Sequence, residues 1–133
     1  MKYFLDTNII IYYMKGQYPA IPEHFKKIPS QSVVIPTVVM AEIEYGARKS
    51  RDYLTTINRY HSFTDVFEKI PFTDSAAMIY GEIRQLLEKE GRLIAPNDLL
   101  IVATAMADDG VLVTNNTKEF GQIPNLSLEN WTI

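Results

Sequence analysis

The chain has 133 residues, with 13 basic and 16 acidic side chains, no cysteine and a formal net charge of −3. This length suits one domain with a substantial core, and 47% hydrophobic against 22% charged residues excludes a disordered chain. The lack of cysteine excludes a disulfide scaffold, a thiolate zinc site and a cysteine nucleophile. The net charge gives no general reason to expect nucleic-acid binding, although one basic face is sufficient for it.

No stretch of the sequence approaches the eighteen or so apolar residues of a membrane span. The first residues reach Asp6 without the long apolar stretch or the cleavage site of a signal peptide. We therefore expect a cytoplasmic, unprocessed protein without a membrane partner, with one domain over residues 1–133.

Short apolar runs alternate with helical patterns in the first third of the chain. Tyr3–Leu5 predicts a buried strand, and a helix follows it and closes near Gly16. Ser32–Ile35 predicts a second buried strand. The pattern then predicts a helix from Thr37 to about Lys49, with Thr37 as its N-terminal cap.

The middle of the chain predicts one more helix and an edge strand. The helix covers Arg51–His61 and would place on one face Tyr53, Leu54, Ile57 and Tyr60. Val66–Phe72 is predicted to be an edge strand because Pro71 cannot donate a hydrogen bond to a neighbouring strand.

Two helices and two strands are predicted in the second half. Residues 73–75 supply cap candidates for a long helix that Gly91 ends. Leu99–Ala107 is apolar all round and predicts a buried helix ended by Gly110. Val111–Val113 predicts a third buried strand, and residues 126–133 predict one more short strand.

Short, wholly apolar strands that alternate with helices predict an α/β fold, with a short parallel sheet flanked by helices on both faces. Ligands of such sheets bind at the carboxyl ends of the strands. In this chain the rule points to Asp6, Asn115 and Asn116.

Three carboxylates occupy positions where the predicted elements offer little water. Asp6 ends a buried strand, Glu42 lies in an apolar stretch of a helix, and Asp98 begins the most apolar helix. Each has a structural explanation alone: a helix cap, a solvated helix residue and an acid favoured by a helix dipole. Brought together, the three would repel one another unless a cation joined them, and Mg²⁺ and Mn²⁺ prefer such hard oxygen ligands.

Four stretches of the sequence resemble motifs of the PIN-domain ribonucleases, and among them of the VapC-type toxins of type II toxin–antitoxin pairs. These stretches are Tyr3–Asn8, Ala41–Ala47, Pro96–Ala103 and Gly110–Phe120. They occur in the family's order in a chain of the expected size. The resemblance implies a single PIN domain over residues 1–133 and a metal-dependent endoribonuclease.

The resemblance also implies the residues of the site. Asp6, Glu42 and Asp98 match the family's acidic metal-binding triad, which would hold one or two Mg²⁺ ions or Mn²⁺ in their place. Many family members carry an aspartate where this chain has Asn116, whereas VapC-type chains often carry an acid where it has Glu119. We include both as further candidate catalytic residues, and which of them supplies the fourth position stays open.

The implied chemistry is the hydrolysis of a phosphodiester bond by a metal-activated water that attacks phosphorus in line. Thr7, Asn8 and Thr114 are explained equally well as turn residues or as residues that orient the acids. His24 and His61 have no acid at metal-ligand spacing, so we expect them at the surface or along a groove.

An RNA substrate requires basic and aromatic contacts. The candidates for phosphate contacts are Lys15, Lys26, Lys27, Arg48, Lys49 and Arg51. Tyrosines 12, 13 and 18 are candidates for base stacking, with core packing as an equal explanation for the first two. The resemblance implies a folded RNA with an exposed loop, and it favours tRNA.

The resemblance further implies a homodimer and a cognate VapB-type antitoxin that wraps a groove near the site. We expect that groove along Pro19–Pro29 and the helix around Tyr53–Tyr60, with core packing as the favoured explanation for Leu54 and Ile57. Three other functions stay open: a haloacid-dehalogenase-like phosphohydrolase, which needs a second aspartate where Asn8 stands, a housekeeping PIN nuclease of RNA processing, and a degenerate PIN binding module without activity. The intact acids argue against the last, and Asn116 argues for it.

Overall fold

The computed structural model describes residues 1–133. Its strands are β1 (Tyr3–Leu5), β2 (Val33–Pro36), β3 (Glu68–Ile70), β4 (Val111–Val113) and β5 (Ser127–Glu129). Its helices are α1 (Thr7–Met14), α2 (Ala20–Lys27), α3 (Thr37–Arg48), α4 (Tyr53–Thr64), α5 (Asp74–Lys89), α6 (Pro96–Ala107) and α7 (Thr117–Phe120), and a 3₁₀ turn covers Ser30–Ser32. None of the helices combines the length and the apolar character needed to cross a lipid bilayer.

The five strands form one parallel sheet in the order β3-β2-β1-β4-β5. On the central strand β1, Phe4 is paired with Val34 of β2 and with Leu112 of β4. The chain moves outward from β1 to β3 and then returns to β4 on the other side of β1. Because such crossovers are right-handed, the helices before and after β3 cover opposite faces of the sheet. The predicted fold class and the edge position of β3 are confirmed.

The central strands are short and apolar because both of their faces are buried. Phe4, Leu5, Ile35 and Leu112 are fully buried in one core. Trp131, which follows β5, closes this core at the edge of the sheet and is also fully buried. The buried strands therefore hold the residues directly after β1 and β4 in fixed positions.

His24 is part of this packing and has a structural role that the sequence analysis did not predict. Its ring stacks on Trp131 with centroids 5.3 Å apart and an interplanar angle of 6°. Its Nε2 is 3.0 Å from the carbonyl oxygen of Ile133. His24 is partly exposed, as the prediction of a surface histidine requires, but tertiary contacts more than a hundred residues away hold its ring.

The helix starts agree with the sequence in two of three cases. The Thr73 hydroxyl accepts a hydrogen bond from Ala76 N (3.1 Å) and caps α5 as predicted. Helix α4 begins within two residues of the predicted position. The prediction that Thr37 caps α3 is wrong, because Pro36 occupies the cap position and the Thr37 hydroxyl donates to the Ile70 carbonyl at 3.2 Å. This bond ties the start of α3 to β3.

The buried face of α4 differs from the predicted one at Leu54. Ile57 is 4% exposed and lies in the core, and Tyr53 and Tyr60 pack against it, whereas Leu54 is 67% exposed. Leu54 lies in the first turn of α4 beside Tyr53, but its side chain is directed to solvent. A helical period alone does not tell how wide the covered stripe is.

The ends of α5 and α6 use glycine in different ways. Gly91 has φ +70° and terminates α5 as predicted. At the end of α6 the left-handed residue is Asp109 (φ 52°), and Gly110 follows it. A Cβ on Gly110 would overlap the Phe4 ring, so this position needs glycine because β4 starts against β1 there.

Two helices were not predicted. Helix α2 carries a proline at its cap and another in its first turns, where missing N–H groups cost little. Helix α7 is a single turn after β4. The prolines of α2 and the four-residue length of α7 mean that neither helix shows a periodic pattern of apolar residues.

Candidate active site

The candidate site lies at the carboxyl ends of β1 and β4, the two adjacent central strands. The chain leaves these strands in opposite directions across the sheet, which makes their junction the switch point where parallel sheets bind ligands. Asp6 follows β1, and its backbone N–H donates to the Val113 carbonyl at 3.0 Å. This bond extends the strand pairing by one residue and places Asp6 beside Thr114.

Asp6 is 6% exposed and each of its carboxylate oxygens is held. Its Oδ2 accepts a hydrogen bond from the Thr114 hydroxyl (2.8 Å) and its Oδ1 accepts one from the Thr7 amide (2.8 Å). Burial raises the pKa of Asp6 above its ordinary value, the two hydrogen bonds act in the opposite direction, and the charge of Glu42 raises it further. Asp6 therefore caps α1 and faces the other acids at the same time.

Glu42 reaches the site from α3 and is half-buried. Its Oε1 accepts a hydrogen bond of 2.5 Å from the Thr7 hydroxyl. Thr7 consequently binds Asp6 through its amide and Glu42 through its side chain. This confirms that Thr7 and Thr114 orient the acids, one of the two explanations left open for them.

Asp98 enters from the first turn of α6, where Pro96 begins the helix. Burial raises its pKa from the ordinary 3.8 to about 6, and the charges of Asp6, Glu42 and Glu119 add to the shift. Asp98 therefore lies within the electrostatic influence of the other three acids. No Lys or Arg side chain forms an ion pair with any of them.

Asn116 and Glu119 lie together beside these acids. The side-chain Nδ2 of Asn116 donates to Glu119 Oε2 at 3.2 Å, and the backbone N–H of Asn116 donates to the Thr114 hydroxyl at 3.1 Å. The pair lines a neighbouring depression of about 390 Å³ that also contains Arg92 and Lys118. Asn116 thus fixes Glu119, while Glu119 acts electrostatically on Asp98.

Asp6, Glu42 and Asp98 line one groove of about 710 Å³. Asn8 also lies on it, as does Asn97. The groove includes one aromatic residue that the sequence analysis missed, Tyr45 of α3. Tyr45 lies three residues after Glu42 on the same helix. This spacing places both residues on one face and would have been sufficient to predict Tyr45 at the site.

The donor set fits a hard divalent cation by its chemistry, since carboxylate oxygens are the ligands that Mg²⁺ and Mn²⁺ prefer. The acids do not form a ready-made cage, because no three His, Asp or Glu side chains are grouped closely enough to hold one ion. Magnesium is typically bound by one or two carboxylates with water completing its shell, which an open groove allows. The residues therefore fit the ion without enclosing it.

The predicted RNA contacts are distributed unevenly around the site. Of the six basic candidates, Lys49 is the one that lines the acid groove. Arg48 is paired with Glu44 at 2.8 Å and lies over the Tyr53 ring, and Lys26 is paired with Glu23. His61 lies in the last turn of α4 and does not line the groove.

Two of the three tyrosines predicted to stack on bases make contacts within the protein. Tyr13 packs against the rings of Phe25 and Phe63, and the Tyr12 hydroxyl accepts a hydrogen bond from Asn115. Tyr18 is the exposed member of the three and makes an edge contact with Tyr12. Core packing is therefore the correct explanation for Tyr12 and Tyr13.

A family model for the PIN domain matches residues 3–126. The chain therefore belongs to the PIN-domain family. Its relatives include Ribonuclease VapC2 of Rickettsia felis, 39% identical over 132 residues and 98% of both chains, and the tRNA(fMet)-specific endonuclease VapC of Shigella flexneri, 31% identical over 99% of both. Within the PIN family the chain belongs to the VapC-type ribonucleases, which decides against a haloacid-dehalogenase-like phosphohydrolase.

Solved structures agree with this assignment. The structure of VapBC-1 from nontypeable Haemophilus influenzae has a chain that superposes with a TM-score of 0.92 at 35% identity, with full coverage of both chains. A chain of VapBC2 from Rickettsia felis, bound to a DNA fragment from its promoter, superposes with a TM-score of 0.90 at 38% identity, over 98% of this chain and 99% of that one.

Proposed function

We propose that this protein is the toxin of a toxin–antitoxin pair, a metal-dependent endoribonuclease that hydrolyses phosphodiester bonds in a structured RNA. One observation carries the proposal: Asp6, Glu42 and Asp98 meet at one groove with no basic side chain paired to them. The favoured substrate is tRNA, because the similar proteins of Shigella flexneri and Salmonella typhimurium are tRNA(fMet)-specific endonucleases.

Asp6, Glu42 and Asp98 would share one or two Mg²⁺ ions, or Mn²⁺ in their place, with one or two carboxylates on each ion and water completing its shell. When bound, the ion supplies the positive charge that binds a phosphate oxygen and makes water acidic enough to attack phosphorus. Thr7 and Thr114 keep the carboxylate oxygens directed by donating to them. We place Asn116 and Glu119 at the margin of this site, where Glu119 adds negative charge beside Asp98.

A VapB-type antitoxin and a second copy of the chain are the proposed protein partners. Similar proteins have been crystallised as VapBC complexes, and one neighbour is a toxin–antitoxin complex from Klebsiella pneumoniae. Helices α2 and α4, where the antitoxin groove is expected, contribute to an apolar pocket of about 270 Å³ that includes Phe25 and Phe63. Val66 at the rim of this pocket is 69% exposed, and exposed apolar surface of this kind is typical of a site for a protein partner.

The test is a cleavage assay on total tRNA with protein freed of any partner. Discrete fragments are expected with Mg²⁺ or Mn²⁺ and none with a chelator. Asp6→Asn should abolish cleavage and growth inhibition while leaving dimerisation unchanged, and Glu82→Gln, a change of an exposed acid on α5, should leave cleavage intact. Cleavage that survives Asp6→Asn in a folded protein would contradict the assigned site.

Two alternatives predict other outcomes of the same assay. A degenerate binding module would cut no RNA and would show no Mg²⁺-dependent change in thermal unfolding. A housekeeping nuclease of RNA processing would cut a precursor RNA, and its expression would not arrest growth.

A further inference from the structure

The acid groove continues along one face of α3. Glu42, Tyr45, Gly46 and Lys49 have the spacing i, i+3, i+4 and i+7, which places them in one stripe. All four line the groove of about 710 Å³. The stripe leads from the acid cluster to the C-terminal end of the helix, where Lys49 follows the last helical residue.

We propose that Tyr45 and Lys49 form a positioning site for an unpaired nucleotide next to the scissile bond, with Lys49 binding its phosphate and Tyr45 stacking on its base. This inference rests on the proposed nuclease function. It specifies that the nucleotide next to the scissile bond must be single-stranded and that Tyr45 and Lys49 bind it.

Lys49 is the cation available to a phosphate in this groove. Its side chain forms no ion pair, and its Nζ lies 4.6 Å from the centroid of the Tyr45 ring. Its neighbour Arg48 is bound by Glu44 and Tyr53 instead. Lys49 lies seven positions after Glu42, which corresponds to a rise of about 10 Å along a helix. Lys49 would therefore meet a phosphate adjacent to the scissile one.

Tyr45 supplies an aromatic face beside that phosphate site. Its side chain is 64% exposed, in contrast to Tyr12 and Tyr13, which are packed within the protein. Aromatic stacking accepts any base and requires that the base be unpaired. An exposed ring beside the acids, with Lys49 over it and without an ion pair, therefore selects a flipped or looped nucleotide and does not select a particular sequence.

Gly46 keeps the floor of the groove open between these groups. A Cβ at this position would meet no heavy atom of the protein within 4 Å, so the packing of the chain does not require glycine. Glycine weakens a helix relative to alanine. What glycine provides here is space over the helix backbone, on the path from Glu42 to Lys49.

The test measures both cleavage and binding. Cleavage kinetics are measured with the tRNA assay. Binding is measured with a labelled single-stranded oligoribonucleotide of mixed sequence, and each protein in the binding assay also carries Asp6→Asn so that it does not cleave the RNA. Lys49→Gln is compared with Lys89→Gln, which changes a lysine at the end of α5 outside the groove. Lys49→Gln should raise KM and Kd roughly fourfold at 0.15 M salt with little change in kcat, and lower the salt slope by about 0.7.

The remaining variants separate a binding role from a structural one. Lys49→Arg should restore binding, Tyr45→Phe should leave Kd unchanged, and Tyr45→Ala should weaken binding about tenfold. Gly46→Gln should raise KM, whereas Gly81→Gln, at an exposed α5 glycine with equally open surroundings, should not.

Two results overturn the inference while leaving the nuclease function in place. One is a wild type that cleaves RNA while Lys49→Gln and Lys89→Gln give the same Kd and salt slope. The other is a Tyr45→Ala protein that binds RNA normally but self-associates less, which would assign the stripe to a protein contact. If the wild type cleaves nothing but the Lys49 and Tyr45 variants lose binding as expected, the nuclease function fails and the nucleotide site stands.

Discussion

Replacing Asp98 by asparagine should stabilise the metal-free protein at neutral pH while it abolishes cleavage. The pKa of Asp98 is raised from 3.8 to about 6 in the fold, roughly two units, and each unit corresponds to about 1.4 kcal/mol. The full shift would amount to about 3 kcal/mol. Because Asp98 is only half-buried, solvent screening reduces this to about 1.5 kcal/mol, or about 5 °C in Tm for a domain of this size.

The sign of the effect depends on pH. A carboxyl group with a raised pKa holds its proton more tightly in the folded state than in the unfolded state, so its ionisation destabilises the fold. This penalty is complete above about pH 6, decreases as the pH falls towards 3.8, and vanishes below that value. The gain from Asp98→Asn should therefore be largest at pH 7.5 and small at pH 4.5.

Thermal and urea unfolding in the presence of a chelator, at both pH values, measures the difference directly. Glu82→Gln is the matched control, since it removes one exposed acid of α5 that has no ion pair. It should change the free energy of unfolding little at either pH. An Asp98→Asn protein that is no more stable than the wild type at pH 7.5, or that gains equally at both values, would refute the electrostatic reasoning.

Two further substitutions test the contacts around the site. Thr114→Val removes a donor to the buried Asp6 carboxylate, so the Asp6 pKa should rise further, the pH profile of cleavage should move to higher pH, and urea unfolding should show a loss of about 1–3 kcal/mol. A profile that does not move would contradict the role of this hydroxyl. Gly110→Ala should cost about 1–3 kcal/mol in the same unfolding measurement, because the new methyl group overlaps the Phe4 ring. Gly46→Ala, which meets open space, is its control and should not destabilise.

The order of elements and the identity of the acids followed from the sequence. The strands β1, β2 and β4 are continuous apolar runs, and the start of α5 and its end at Gly91 are marked by residues within a few positions of the helix ends. These are local signals, so a short window of sequence contains them. Together with the four family-like stretches they were sufficient to predict a parallel α/β fold and to select Asp6, Glu42 and Asp98.

Other features depend on residues that are distant in the chain. The Thr114–Asp6 bond spans 108 positions and the Thr7–Glu42 bond spans 35, so no local pattern specifies them. The stacking of His24 on Trp131 has the same character. These contacts depend on the pairing of β1 with β4 and on the way α3 packs near α1. Both are set by how the whole core fills its volume.

The same distinction holds within the site. The sequence by itself determined which chemistry is available, because the residue types and their place after strands or at helix starts are local properties. Tertiary structure alone decided which cation reaches the groove, since Lys49 is free at the end of α3 while Arg48, one residue earlier, is turned about 100° around the helix and paired with Glu44. That choice depends on which face of α3 packs on the sheet, and the packing involves every layer of the fold.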